Sequence, residues 1–198
     1  MSYSIPTSPC ERLFEEKKSK FYAYAAKAES RASAIAAVNT CKMKYPDARH
    51  HCWAYLLGSP HKPISVAMND DGEPSGTAGK PMLNVLQHGE VGNVVVVISR
   101  YFGGIKLGAG GLIRAYSNAT NLVLSSLDTQ VLVEAIETQC HVSFGDEQKV
   151  RHWLLLHQGT VIDATYSAHV SLSVRFPTSY AEPYKKFITA LTGDQSPS

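Results

Sequence analysis

VVVVISRYFGGIKLGAGGLIRAYSNA, residues 94–119, joins an apolar strand signal to a helix signal through a glycine-rich loop. Val94 to Ile98 is an unbroken apolar run without alternation, the pattern of a strand covered on both faces. From about Gly110 a helix follows. Leu112, Ile113, Tyr116, Thr120, Val123, Leu124 and Leu127 form one stripe at helical spacing, and Arg114, Asn118, Asn121 and Ser125 face away. Between strand and helix lie five glycines, Gly103, Gly104, Gly108, Gly110 and Gly111. A helix start offers free N–H groups and partial positive charge, which suit an anion. Arg100, Lys106 and Arg114 flank it, so the loop reads as a phosphate site, on RNA or on a nucleotide. The plain alternative is a tight turn that uses glycine for positive φ or close packing.

Upstream, NDDGEPSGTAGKP (69–81) is a second polar loop, followed by a short helix over Met82–Gln87. Before it, His51–Leu57 and the alternating Ile64, Val66 and Met68 read as a strand hairpin. Further back, Ser19–Ala28 reads as a strand. Ser30 can cap a helix from Arg31 whose apolar face is Ile35, Val38, Cys41 and Tyr45, and Pro46 stops it. Downstream, Asp128, Thr129 and Gln130 mark a boundary. Beyond it come a strand near Thr138–Phe144, a helix Glu147–His157, strands Val161–Tyr166 and Val170–Phe176, and a helix carrying Tyr184, Phe187, Ile188 and Leu191. The order βαββα is the core of a ferredoxin-like unit. The expected organisation is α+β: an extension at 1–17, an α+β sandwich at 18–128, a ferredoxin-like domain at 129–192 and a disordered tail at 193–198. Each half is expected to have its sheet on one side and its helices on the other.

Composition bounds the class. With 198 residues, 44% hydrophobic and 18% charged, the chain is an ordinary globular protein. No apolar run approaches the roughly 18 residues of a membrane span, and the N-terminus lacks a signal-peptide core, so a cytoplasmic location is expected. The net charge is +2. Residues 1–128 carry 14 Lys+Arg against 10 Asp+Glu and residues 129–198 carry 5 against 7, a mild basic bias in the first part. Cys10, Cys41, Cys52 and Cys140 form no CxxC pair, and reduced thiols are expected.

Nucleotide motifs fail. Pro81 stands where a P-loop needs Ser or Thr after Gly79-Lys80, and Ile113 replaces the third glycine of a GxGxxG. Asp70, Asp71 and Glu73 can hold a hard cation through oxygen ligands or solvate a turn at Asp71-Gly72; the second is expected. Ser75 and Thr77 lie in no nucleophile motif, and capping the following helix is their expected role. His50, His51 and Cys52 alternate across a strand and cannot easily meet one metal. Trp53 and Tyr55 share a face with His51 and read as packing aromatics, with base stacking the alternative.

The exact wording of the loops carries more than their spacing. DDGEPSGTAGKPML (70–83) and the stretch 94–119, with KSKFYAYAA (18–26) and HHCWAY (50–55) upstream, resemble the signature of the IMPACT/YigZ family. The likeness spans 18–127, and residues 136–192 resemble, more weakly, the small C-terminal domain of bacterial members. It implies a first domain similar to domain IV of elongation factor G and a second similar to its domain V. Bacterial members continue past the last helix into a further strand; here GDQSPS follows Thr192. Eukaryotic members regulate translation, blocking activation of the initiation-factor kinase that senses uncharged tRNA. They do so by competing for its ribosome-associated activator. The resemblance therefore implies a non-catalytic, translation-linked protein, without cofactor, metal or membrane. Its partner would be RNA, the ribosome or a ribosome-associated protein. The candidate site is Arg100, Gly103, Gly104, Lys106, Gly108, Gly110, Gly111 and Arg114. The family motif loop is Asp70, Asp71, Gly72, Glu73, Pro74, Ser75, Gly76, Thr77 and Lys80. The alternative is an enzyme acting on a phosphorylated small molecule through both loops, which requires them to converge on one pocket.

Overall fold

The structure, a computed structural model, describes residues 2–193. Of the tail expected at 193–198, Gly193 caps the last helix in a left-handed conformation, and 194–198 lie outside the described residues. The chain divides into two compact units, Tyr3–Leu132 and a second that takes in Ser2 and the residues from Val133 on.

In chain order the first unit holds β1 (Ser2–Pro6), β2 (Cys10–Glu16), β3 (Ser19–Lys27), α1 (Arg31–Lys44), β4 (His50–Ser59), β5 (Lys62–Asn69), α2 (Gly79–His88), β6 (Val94–Tyr101), α3 (Gly108–Leu124) and β7 (Thr129–Val133). Five strands form an antiparallel sheet in the order β2-β3-β6-β4-β5. Within the extension expected at 1–17, the described residues form two strands, β1 and β2. β2 pairs along its whole length with β3, and β1 pairs with β7. The N–H of Thr7 donates to the Asp128 carbonyl at 2.9 Å, tying both ends of this unit together.

β6 is central, and its apolar run decides the layering. Val95 and Val97 pack with Tyr55, Leu57 and α1 residues Ala34, Val38 and Cys41. Val94, Val96 and Ile98 pack on the other face with Met82, Leu86, Leu112, Tyr116 and Val123 of α2 and α3. The α+β architecture is as expected, but the one-sided layering is corrected here: helices cover both faces, because Val94–Ile98 has no polar face to give to water. Each such side chain contributes about 1.5–3 kcal/mol on burial. α1 starts where expected, in a capping box between Ser30 and Ser33.

The second unit contains β8 (Ala135–Val142), α4 (Glu147–Leu156), β9 (Thr160–Tyr166), β10 (Val170–Pro177) and α5 (Ala181–Thr192). Its antiparallel sheet runs β8-β10-β9, giving the ferredoxin-like βαββα order. Val170, Leu172, Val174 and Phe176 of β10 face Val150, Leu154, Tyr184 and Ile188 of the helices. Here the sheet buries one face, and the other carries Gln139, His141, Ser171 and Ser173.

Candidate functional site

The acidic loop between β5 and α2 is closed by its own hydrogen bonds. Asp70 Oδ1 accepts the N–H groups of Ala78 (3.0 Å) and Gly79 (2.8 Å), and its Oδ2 accepts that of Gly76 (2.8 Å). Asp70 therefore caps α2 from upstream. The capping expected of Ser75 and Thr77 is corrected for Thr77, whose hydroxyl donates to the Pro74 carbonyl at 2.6 Å; Ser75 is exposed. Asp71 Oδ2 accepts the His51 N–H at 2.7 Å, and its carbonyl meets His50 Nδ1 at 2.9 Å. Asp71 and Gly72 both have positive φ, so the turn at this dipeptide is as expected. Its acidic groups are engaged by protein donors, however, and do not simply solvate it.

Glu73 points inward and is buried. Its Oε1 receives the Arg100 guanidinium at 2.5 Å and the Tyr116 hydroxyl at 2.9 Å. The Cys52 thiol donates to the Asp70 carbonyl and lies 3.3 Å from the Tyr116 hydroxyl. Burial pushes both the Cys52 thiol and the Tyr116 phenol up, which keeps them protonated. This thiol is a packed donor, not a nucleophile. His51, held at 2.9 Å from the Ser99 hydroxyl, is pushed down by burial and stays neutral. Tyr55 is buried and stacked with Trp53, so those aromatics serve packing.

The glycine loop follows β6. Gly103 has a steric reason to be glycine: a Cβ there would sit 2.0 Å from the Lys18 backbone carbon. Its N–H donates to Ser19 Oγ, which also receives Arg100 at 3.5 Å. Gly104 and Gly108 take positive φ. Gly110 and Gly111 lie in the first turn of α3, and a Cβ on Gly110 would meet nothing closer than Arg114 at 3.7 Å. Glycine there costs about 1 kcal/mol against alanine, and the fold supplies no reason for it. The helix begins two residues before the expected Gly110, and its capping residue Leu107 gives no side-chain hydrogen bond to the first turn. The N–H groups of that turn are thus left without a side-chain cap.

The two loops converge. A cavity of about 340 Å³ is walled by Glu73 and Pro74 from the acidic loop, by Arg100 from the end of β6, by Phe102, Lys106 and Leu107 from the glycine loop, and by Gly108 and Ala109 from the start of α3. Arg49, His50 and Leu112 complete it. The three expected cations are not brought together around one space. Arg100 is 6% exposed and held by Glu73. Lys106 is exposed at the cavity. Arg114 lies along a separate crevice with Glu16, Lys17, Gly111 and Asn118. Gly76 and Lys80 border a larger groove between α2 and α3. The second rim cation is Arg49, which the sequence reading did not single out. Its signal was register: its N–H donates to the Arg100 carbonyl, and the next residue, His50, lies opposite Arg100 across the β4–β6 pair. Phe102, 49% exposed beside the Arg100 guanidinium, was also missed.

Fold and site define a class: an α+β protein of two compact units, the first of which walls a cavity with an acidic and a glycine-rich loop. The chain belongs to the IMPACT family. The Impact N-terminal domain matches residues 17–124, and a domain of unknown function (DUF1949) matches 140–195. An IMPACT family member of Haemophilus influenzae is 35% identical over 94% of this chain and 91% of its own length. The IMPACT family member YigZ of Escherichia coli is 38% identical over 90% of this chain and 87% of its own length. A crystal structure of a hypothetical protein superposes with a TM-score of 0.68 at 34% identity, covering 98% of this chain and 94% of that one. The family expected from the loop wording is thereby shown. No helix among the described residues is long and apolar enough to cross a membrane.

Proposed function

We propose that this chain is a non-catalytic, translation-linked binding protein of the cytoplasm, and that the cavity between its loops grips a backbone phosphate of RNA, free or on the ribosome. One observation carries the reading. Around the cavity the anions are engaged from within while cationic and N–H groups stay open: Glu73 is held by Arg100 and Tyr116, whereas Lys106, Arg49 and the start of α3 face the space. Open donors of this kind suit phosphate. The translational role of eukaryotic family members supports the link to RNA or the ribosome.

Convergence of the loops also meets the geometric condition set for an enzyme. The acid–base groups that enzyme needs are engaged elsewhere. Asp70 holds three N–H groups, Asp71 holds the His51 N–H, and Glu73 is ion-paired. A carboxylate locked in this way is a poor proton carrier, so binding is the better reading.

The test is a pull-down of the tagged protein with and without nuclease, repeated with Arg49→Gln/Lys106→Gln. Nuclease-sensitive recovery of RNA or ribosomes, weakened in the variant with a flatter salt dependence, is expected, because each neutralised phosphate adds to that slope. Recovery of protein alone, equal in parent and variant, would replace RNA by a protein partner.

A further inference from the structure

Phosphate recognition accounts for only part of the cavity wall. Lys106, Arg49 and the N–H groups of Gly108 and Ala109 are what an oxyanion needs, yet Pro74, Phe102, Leu107 and Leu112 line the same space. At about 340 Å³ the cavity is several times larger than a phosphate group, and it falls in the range of pockets that enclose small organic ligands. Phe102 keeps 49% of its surface exposed while forming part of that wall. A half-exposed aromatic ring beside cations is the usual platform for an unstacked base.

Two further side chains of the wall bear on this space. Arg100, 6% exposed and part of the wall, has an Nε–H with no acceptor among the described residues. Its charge is met by the single carboxylate of Glu73 and its other amino group reaches Ser19 Oγ at 3.5 Å, so the buried Nε–H marks a local shortage of acceptors behind the wall rather than a contact to the ligand. His50, also in the wall, has Nδ1 against the Asp71 carbonyl. A carbonyl only accepts, so Nδ1 carries a proton and donates to it. Donors for phosphate, an apolar platform and an imidazole ring thus share one cavity.

We propose that the cavity is a subsite for one unstacked nucleotide of single-stranded RNA. The 5′-phosphate lies on the first turn of α3 between Lys106 and Arg49, and the base lies against Phe102. This rests on the phosphate reading above and adds the base to it.

The test compares binding of AMP, UMP, ribose 5-phosphate, adenosine and inorganic phosphate to the full chain by calorimetry at low salt. Alongside it runs binding of a short single-stranded RNA. AMP and UMP should bind at least about fivefold more tightly than ribose 5-phosphate, since base–aromatic stacking contributes that much or more. Phe102→Ala should remove this advantage and leave ribose 5-phosphate binding unchanged, while Phe102→Trp should keep it. Lys106→Gln should weaken both ligands together. Because Phe102 is half exposed, its truncation does not open the core, and circular dichroism of each variant checks this. Equal binding of AMP and ribose 5-phosphate would overturn the base contact and leave the phosphate reading standing. RNA binding without mononucleotide binding would overturn the subsite alone. Mononucleotide binding without RNA binding would overturn the RNA reading and support the nucleotide contact.

Discussion

The acidic loop and the glycine-rich loop face each other across one cavity and are built on opposite terms. In the acidic loop every carboxylate is engaged. Asp70 takes three backbone N–H groups, Asp71 takes the N–H of His51, and Glu73 takes Arg100 and Tyr116. In the glycine loop one cation, Arg100, is engaged in the same way, while Lys106 and the start of α3 stay open. The difference is a matter of nearby partners. A carboxylate only accepts, and a tight turn that leads into a helix is rich in N–H donors. A lysine ammonium only donates, and the glycines around Lys106 bring no side-chain acceptor. A charged loop therefore tells little by its sign. Its function depends on which charges the turn itself consumes.

The buried pair gives the largest expected effect. Glu73→Gln leaves Arg100 without its carboxylate in the core, and breaking such a pair costs about 3–5 kcal/mol. Urea unfolding should show that loss, and the double variant Glu73→Gln/Arg100→Gln should recover part of it. A single-variant loss near zero would mean that the acidic loop is not closed. Next comes Gly103→Ala, whose Cβ would overlap the Lys18 backbone. Overpacking of this kind costs about 1–3 kcal/mol, and an unchanged urea midpoint would contradict the close approach. Gly110→Ala should do the reverse. Space is open there, so the variant should gain roughly 0.5–1 kcal/mol of stability while weakening phosphate binding at the α3 start. Stabilisation with intact binding would show that nothing approaches that turn.

The smallest effect is a slope with pH. Burial lowers the affinity of His51 for a proton below its ordinary value, the Asp71 carboxylate opposes this, and Lys42 and His50 add to it. The folded state therefore disfavours the charged ring. His51 contributes its full stability above about pH 6.5, its unfolded value, and loses it as pH falls from there through the folded value. Unfolding free energies measured from pH 7.5 to 5 should show this decline, and His51→Gln should flatten it. A decline unchanged in the variant would assign it to other groups.

By itself the sequence determined the elements whose apolar residues recur at short spacing. The alternation of β10, the stripe of α5 and the Ser30 cap of α1 are read within a few residues of chain, where strand and helix periods are set. It also determined the family, through the wording of two loops. Tertiary structure alone decided the pairing of β1 with β7 across most of the chain, the reach of Asp70 to the start of α2, and the capture of Arg100 by Glu73. It also decided the turning of Arg114 to another crevice and the enlistment of Arg49 and Phe102. Periodicity is a relation between chain neighbours, whereas ion pairs, caps and cavities depend on distances between atoms that only folding brings together. A charge written in a loop therefore remains open or engaged according to partners that lie far away in the chain.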